Sequence, residues 1–226
     1  MTTDTTTTPG TRRDLRPLVL PHVGLAVLGT IALSLETPAR GWAVLATVVA
    51  YVAGLAYSCR RTDLLPLVGF LSLVSVFQVL PDWILADVLG TLAFPDQGGP
   101  RMDDIVPVAM ALMWVAPLFI ALVAADLRPG RAAVAAFAVF AVAELLAPVV
   151  GLWEPTGDTA RILGVAVYVP PAEAVLGWAA AVGFGATVGR SVVVKIAAAA
   201  AVSTIYTGAL VVSYFAIDVA SWRITF

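Results

Sequence analysis

Four carboxylic acids lie inside or beside long apolar stretches of this sequence: Asp82, Asp87, Glu144 and Glu173. A carboxyl group is expensive to place in a membrane helix, and those that occur there usually face a cavity or a polar partner. Burial in a low-dielectric setting favours the neutral, protonated form of a carboxylic acid, which can then act as a proton donor. The four acids are therefore predicted to be the catalytic residues.

Each acid also has a structural interpretation, and both interpretations stay open. Asp82 follows Pro81 and could cap a helix at the membrane boundary, as could Asp87. Glu173 follows two prolines, in the way that many helices begin. Glu144 could form an interhelical hydrogen bond that fixes the packing. Pro148, four residues after Glu144, removes the helical partner of the Glu144 carbonyl and so adds a second polar group there.

Aromatic side chains near the acids are predicted to line a substrate cavity. Such residues often serve only packing or the membrane interface. If they face inward, however, their π faces stabilise a carbocation without attacking it, and a closed cavity keeps water away from it. The predicted substrate-binding residues are Phe77, Trp83, Trp114, Phe140, Tyr168, Trp178 and Tyr206.

The elements that must position these residues are membrane helices. Of the 226 residues, 60% are hydrophobic and 12% are charged, against a charged share of roughly 25% in soluble domains. A helix needs ~20 apolar residues to cross a bilayer. The apolar segments are 18–35, 42–58, 64–80, 105–125, 132–152, 172–188 and 192–217. The fold class is thus all-α, a polytopic bundle of about seven transmembrane helices.

The predicted domain organisation is simple. Residues 1–16 are expected to form a disordered cytoplasmic tail, and residues 17–226 a seven-helix transmembrane domain. The segment 81–94 either extends the third helix beyond a kink at Pro81 or lies in the membrane interface with Trp83 as an anchor.

Basic residues predict the orientation in the cell membrane. Eight of the 13 lysines and arginines precede the first segment or lie between segments two and three, four and five, and six and seven, and Lys195 at the start of segment seven makes nine on this side. The N-terminus is therefore expected in the cytoplasm and the C-terminus outside. The long connections 95–104 and 153–169 then lie outside, and all four acids fall in the outer half of the bundle.

Several kinds of site and partner are not expected. One histidine and one cysteine cannot build a zinc or haem centre, and Asp103-Asp104 is not part of an Asp-rich magnesium motif. No metal or other cofactor is predicted. The net charge of −2 gives no indication of nucleic-acid binding. The expected partners are a prenylated or isoprenoid small molecule and membrane lipid, and the oligomeric state is left open.

Two short segments carry a resemblance to a known family. They are residues 81–87, Pro-Asp-Trp-Ile-Leu-Ala-Asp, and residues 168–173, Tyr-Val-Pro-Pro-Ala-Glu. With the size of the chain and its number of helices, they resemble the small seven-helix membrane terpene cyclases that act on prenylated indoles and meroterpenoid precursors. The second segment is also similar to segments of membrane lycopene cyclases, although Ala174 stands where those enzymes have a second acid.

The resemblance implies that Asp82, Asp87 and Glu173 donate the initiating proton or activate its donor, whereas Glu144 is added from its own position in the sequence. The leading hypothesis is a metal-independent class II terpene cyclase. The alternatives are a carotenoid-pathway hydratase or cyclase, a small transporter that relays protons through intramembrane carboxylates, and a structural bundle without activity.

Overall fold

The computed structural model describes residues 16–220, and this part of the chain is all-α apart from a few very short strands. The predicted tail, residues 1–16, lies outside the described residues except for Arg16, which begins the first helix. The helices are α1 (Arg16–Leu33), α2 (Ala39–Cys59), α3 (Leu65–Phe77), α4 (Val79–Trp83), α5 (Met110–Met113), α6 (Val115–Ala124), α7 (Pro129–Leu146), α8 (Val169–Thr187) and α9 (Val192–Tyr214). Turns of π-helix follow α4 at Ile84–Val88 and α9 at Phe215–Val219.

Within residues 16–220, five helical stretches are long and apolar enough to cross a membrane, which indicates a membrane protein. They are α1, α2, Leu65–Val88, α7 and Val192–Val219. The helix α8 is also long, but Glu173 and two prolines in its first turns make it more polar. The stretch Met110–Ala124 is apolar but shorter.

Two predicted segments differ from the helices in the structure. Segment 105–125 becomes helical only at Met110, because residues 106–107 instead pair as a strand with residues 101–102. Segment 132–152 ends its helix at Leu146, just before Pro148, whose missing N–H disfavours continuation. Of the two interpretations of segment 81–94, extension of the third helix is the observed one, as far as Val88.

A proline interrupts the third span without ending it. Pro81 has no N–H, so the carbonyl of Phe77 loses its usual helical partner, and the chain breaks from regular helix at Gln78. The hydroxyl of Ser203 on α9 donates to the Phe77 carbonyl oxygen at 2.8 Å. A side chain of a neighbouring helix thereby satisfies the freed carbonyl, as is usual for prolines in membrane helices. The α3–α4 junction is thus fixed against α9.

The two ends of the bundle differ in their connections. At one end, here called the turn end, residues 60–64, 125–128 and 188–191 make short turns. At the other, the loop end, the long connections 89–109 and 147–168 carry the strands. Leu67, Leu71, Leu118 and Leu122 are fully buried on α3 and α6, whereas the buried acids lie towards the loop end of their helices.

The two long connections pair with each other above the loop end. Strand β1 (Leu92–Ala93) in the first connection pairs antiparallel with β4 (Glu154–Pro155) in the second. Each connection also contains a hairpin of its own: β2 (Arg101–Met102) pairs with β3 (Val106–Pro107), and β5 (Arg161–Ile162) pairs with β6 (Val165–Ala166). The first connection also docks on α2: the N–H of Gly41 donates to the carbonyl of Gln97 at 2.8 Å. A β-carbon on Gly41 would lie 1.6 Å from the carbonyl oxygen of Gly98. We call the two long connections, 89–109 and 147–168, with their paired strands the roof.

Candidate active site

Three of the four predicted acids meet under the roof. Asp82 comes from α4, Glu144 from the last turn of α7, and Glu173 from the first turns of α8. Asp82 is 3% exposed, Glu173 is fully buried and Glu144 is half-buried. Asp82 and Glu144 line the same cavity, and Glu173 lies near Glu144. These three residues are here called the acid cluster.

Two indole groups orient two of the acids. The Nε1–H of Trp114 donates to Oδ2 of Asp82 at 3.1 Å, and the Nε1–H of Trp153 donates to Oε1 of Glu144 at 3.1 Å. Each bond engages one oxygen of a carboxyl group and leaves the other for a second partner. Since indole is neutral, neither bond pairs the acid with a cation. Trp114 lies where regular helix is interrupted, between α5 and α6.

Glu173 is placed differently from the other two acids. Neither of its carboxyl oxygens has a hydrogen-bond partner in the described part of the chain, and both are buried. Native proteins satisfy most buried polar side-chain atoms, so exceptions often mark functional positions or bound water. Glu173 does not line the cavity described below, whereas Tyr206 of α9 does. Glu173 is thus a buried acid next to the site that does not contact the cavity itself.

Aromatic rings surround the two acids that line the cavity. Trp114 packs on Phe140 with ring centres 5.3 Å apart and edge-to-face on Tyr206 at 5.7 Å. Tyr168 donates its hydroxyl to Oγ1 of Thr91 at 2.8 Å, which connects the start of α8 to the roof. The cavity is lined by Asp82, Leu85, Thr91, Leu92, Phe94, Met110, Trp114, Glu144, Trp153, Pro155, Ala166, Tyr168, Val169 and Tyr206. Its volume is about 30 Å³, room for one or two water molecules.

The structure separates Asp87 from the acid cluster. Asp82 and Asp87 are five residues apart on a helical segment, so their side chains point in different directions, and Asp87 is exposed in the π-helical turn. Two predicted binding residues also lie away from the cavity. Trp83 donates its indole N–H to Oδ2 of Asp103 in the first long connection at 3.0 Å, and Trp178 is 44% exposed.

Phe77 is the third predicted binding residue that lies away from the cavity, since its ring is not part of the cavity wall. Its backbone carbonyl instead accepts the hydrogen bond from Ser203. Four of the seven predicted binding residues do belong to the site: Trp114, Tyr168 and Tyr206 line the cavity, and Phe140 packs on Trp114.

The most important residue that the sequence did not reveal is Trp153. It lies beyond Pro148 in the second long connection, where no periodicity relates it to Glu144, and only the folding back of that connection brings it there. Thr91 was missed for the same reason, since it follows the end of the third span.

The fold and this site define a helical membrane protein with buried carboxylic acids among aromatic rings. The chain belongs to a family described as a domain of unknown function, DUF6989, whose model matches residues 79–217. The matched range contains the whole acid cluster and leaves out α1, α2 and α3. Neither a curated protein nor a solved structure matches the chain.

Proposed function

We propose that this protein is a membrane-bound class II terpene cyclase that protonates a prenylated lipophilic substrate. The observation that carries the proposal is Asp82: a buried acid that lines a cavity, accepts a hydrogen bond from the indole of Trp114 and is flanked by the ring of Tyr206. Because Trp114 engages Oδ2, the proton to be donated belongs on Oδ1. An apolar environment favours the neutral form of an acid over an unpaired charge.

The reaction would proceed by proton transfer and ring closure alone. The O–H bond of Asp82 breaks while a C–H bond forms at the distal alkene, or an O–H bond forms at an epoxide. The resulting cationic carbon is attacked by the next double bond of the same chain, which forms a C–C bond and moves the charge. Loss of a proton to a carboxylate of the cluster ends the cascade, so the product is an isomer of the substrate.

A carboxylic acid on its own is a weak proton donor for an alkene, and a neighbouring acid can strengthen it. A second acid that donates a hydrogen bond to the first strengthens it, and Glu144 lines the same cavity as Asp82. The rings of Trp114, Phe140 and Tyr206 supply negative π faces for the cation.

The distribution of buried polar groups favours an enzyme over a proton-relaying transporter. A relay needs polar groups that continue from one membrane face to the other. Here the acid cluster lies under the roof, whereas the fully buried side chains nearer the turn end of α3 and α6 include Leu67, Leu71, Leu118 and Leu122. A carotenoid-pathway hydratase or cyclase would use the same acids with a longer cavity.

We further propose that α8 and the stretch Met110–Ala124 complete a seven-span bundle in the cell membrane, with the turn end in the cytoplasm and the loop end outside. The charge asymmetry of the connections supports this orientation. Single cysteines introduced at Glu154 or Arg190, with Cys59 replaced by alanine, test it. A membrane-impermeant maleimide should label the first in intact cells and the second only after permeabilisation.

A mass-spectrometric assay tests the cyclase. Membranes that contain the protein receive farnesylated and geranylated aromatic substrates without added metal, and the products are separated by chromatography. We expect a product of unchanged mass and altered retention, which Asp82→Asn abolishes. Asp87→Asn is the matched comparison, because it makes the same change at an exposed position five residues away.

Trp114→Phe keeps the ring and removes the hydrogen bond to Asp82, and we expect about tenfold slower turnover, equivalent to ~1.4 kcal/mol. Absence of conversion with every substrate, or full activity in folded Asp82→Asn, would refute the proposal. A carotenoid substrate that is converted while the prenylated aromatics are not would assign the site to the carotenoid alternative.

A further inference from the structure

A second small cavity adjoins the acid cavity. Both cavities are lined by Met110, Trp114, Glu144 and Trp153. The second one is completed by Met113, Pro117, Phe140 and Ala143. It therefore runs from Glu144 between α6 and α7, and we call it the crevice.

The two helices that flank the crevice carry exposed apolar side chains. On α7, Phe137, Val142 and Leu145 are 47%, 56% and 42% exposed, and Ile120 of α6 is 41% exposed. Exposed apolar side chains on a membrane helix face the acyl chains. Glu144, at the inner end of the crevice, is half-buried, whereas Asp82 and Glu173 are buried. The acid cluster thus approaches the bilayer at Glu144.

At the loop end, the roof lies over the acid cavity. The pairing of β1 with β4 lies over the cavity, and Leu92 and Pro155 of these strands line it. The side chain of Gln97 bonds to the carbonyl of Gly151, and the guanidinium of Arg40 bonds to the carbonyl of Val150. These contacts fasten the roof to α2 and to the end of α7.

We propose that the isoprenoid chain of a membrane-dissolved substrate reaches the acid cluster sideways, through the crevice between α6 and α7. This inference rests on the proposed function, since it assigns the route and the subsite of the same substrate. A cavity of about 30 Å³ is far smaller than the roughly 300–1,000 Å³ of ligand sites. The chain must therefore displace side chains as it enters.

Two features allow this displacement. Met113 is unbranched and flexible, so its side chain can turn away from the path. Pro117 has no N–H, so the carbonyl of Met113 loses its helical partner and the chain is irregular at Trp114. Regular helix is therefore interrupted in the wall of the crevice.

A larger groove elsewhere is a weaker candidate for the same ligand. It lies between α1 and α6, has a volume of about 510 Å³, and is lined by apolar side chains and His22. The imidazole of His22 already bonds to the carbonyl of Leu18 at 2.7 Å and to the hydroxyl of Tyr51 at 3.2 Å. Its lining shares no residue with the acid cavity.

The test is photocrosslinking in liposomes with a farnesyl ether that carries a diazirine near its terminal isoprene unit. The labelled peptides are identified by mass spectrometry. We expect wild type to be labelled on residues that line the crevice, and Ala143→Trp to lose at least nine-tenths of this label because the indole fills the path. Val142→Trp is the control, since it adds the same side chain at the neighbouring, lipid-facing position.

Labelling that concentrates on the α1–α6 groove, or that is equal in Ala143→Trp and wild type, overturns the route. If Ala143→Trp does not fold, Ala143→Cys in a Cys59→Ala background replaces it, blocked after folding with pyrene maleimide. Crevice labelling without any turnover would support the route and refute the cyclase. Turnover that persists with the crevice blocked would refute the route and leave the cyclase standing.

Discussion

The close crossing of α7 and α8 gives the sharpest prediction about packing. A β-carbon on Gly177 of α8 would lie 2.3 Å from Cβ of Ala136 and 2.6 Å from the carbonyl oxygen of Ala132, both on α7. Carbon atoms pack best at roughly 3.5–4.0 Å, so Gly177→Ala must push the two helices apart by ~1 Å or more. Overpacking of this kind lowers the free energy of unfolding by about 1–3 kcal/mol.

The matched control is Gly185→Ala on the same helix. A β-carbon there has no neighbouring atom within 4 Å, so the change should raise helix stability by about 0.5–1 kcal/mol. Titration with SDS in mixed micelles, followed by circular dichroism, measures both variants. Because α7 carries Glu144 and α8 carries Glu173, Gly177→Ala should also slow turnover. Equal unfolding midpoints for Gly177→Ala and wild type would refute the close crossing.

Three further predictions concern single contacts. Ser203→Ala leaves the carbonyl of Phe77 unpaired and should lower the free energy of unfolding by about 1–2 kcal/mol. In a Pro81→Ala background, which restores a backbone N–H for this carbonyl, the loss should be smaller. Equal losses in the two backgrounds in the same SDS titration would contradict this. Arg101 donates to four carbonyls of the first long connection, so Arg101→Met should speed cleavage of that connection by proteinase K severalfold, and an unchanged rate would count against its bracing role. Asp87→Asn should change the free energy of unfolding by less than about 0.5 kcal/mol, and a larger change would show a partner for this exposed acid.

The apolar segments predicted most of the fold, because a membrane helix must bury its backbone polar groups in its own hydrogen bonds and cover them with ~20 apolar residues. Helix ends were predicted less well. Met110 begins its helix late because of a strand pairing between residues 101–102 and 106–107, and such pairing of two-residue strands has no periodic signal. The number of spans and their orientation stay predictions.

The candidate site was predictable in part, since isolated acids in apolar sequence are conspicuous. Spacing predicted that Asp82 and Asp87 point in different directions, but it could not determine which one faces inward. That choice depends on how the third span packs against α9, through the Phe77 carbonyl and Ser203. The partners of the acids lie far away in sequence: Trp114 is 32 residues from Asp82.

The turn between α6 and α7 divides the acid cluster into two sequence halves. Asp82 and Trp114 precede residues 125–128, whereas Glu144, Glu173 and Tyr206 follow them. Neither half contains a complete site, so two fragments expressed separately should be inert. Under the proposed function, co-expressed fragments that associate in the bilayer would regain turnover, and this turnover would report helix association. The cut would also separate α6 from α7, the two helices that flank the crevice, at the turn end of the bundle.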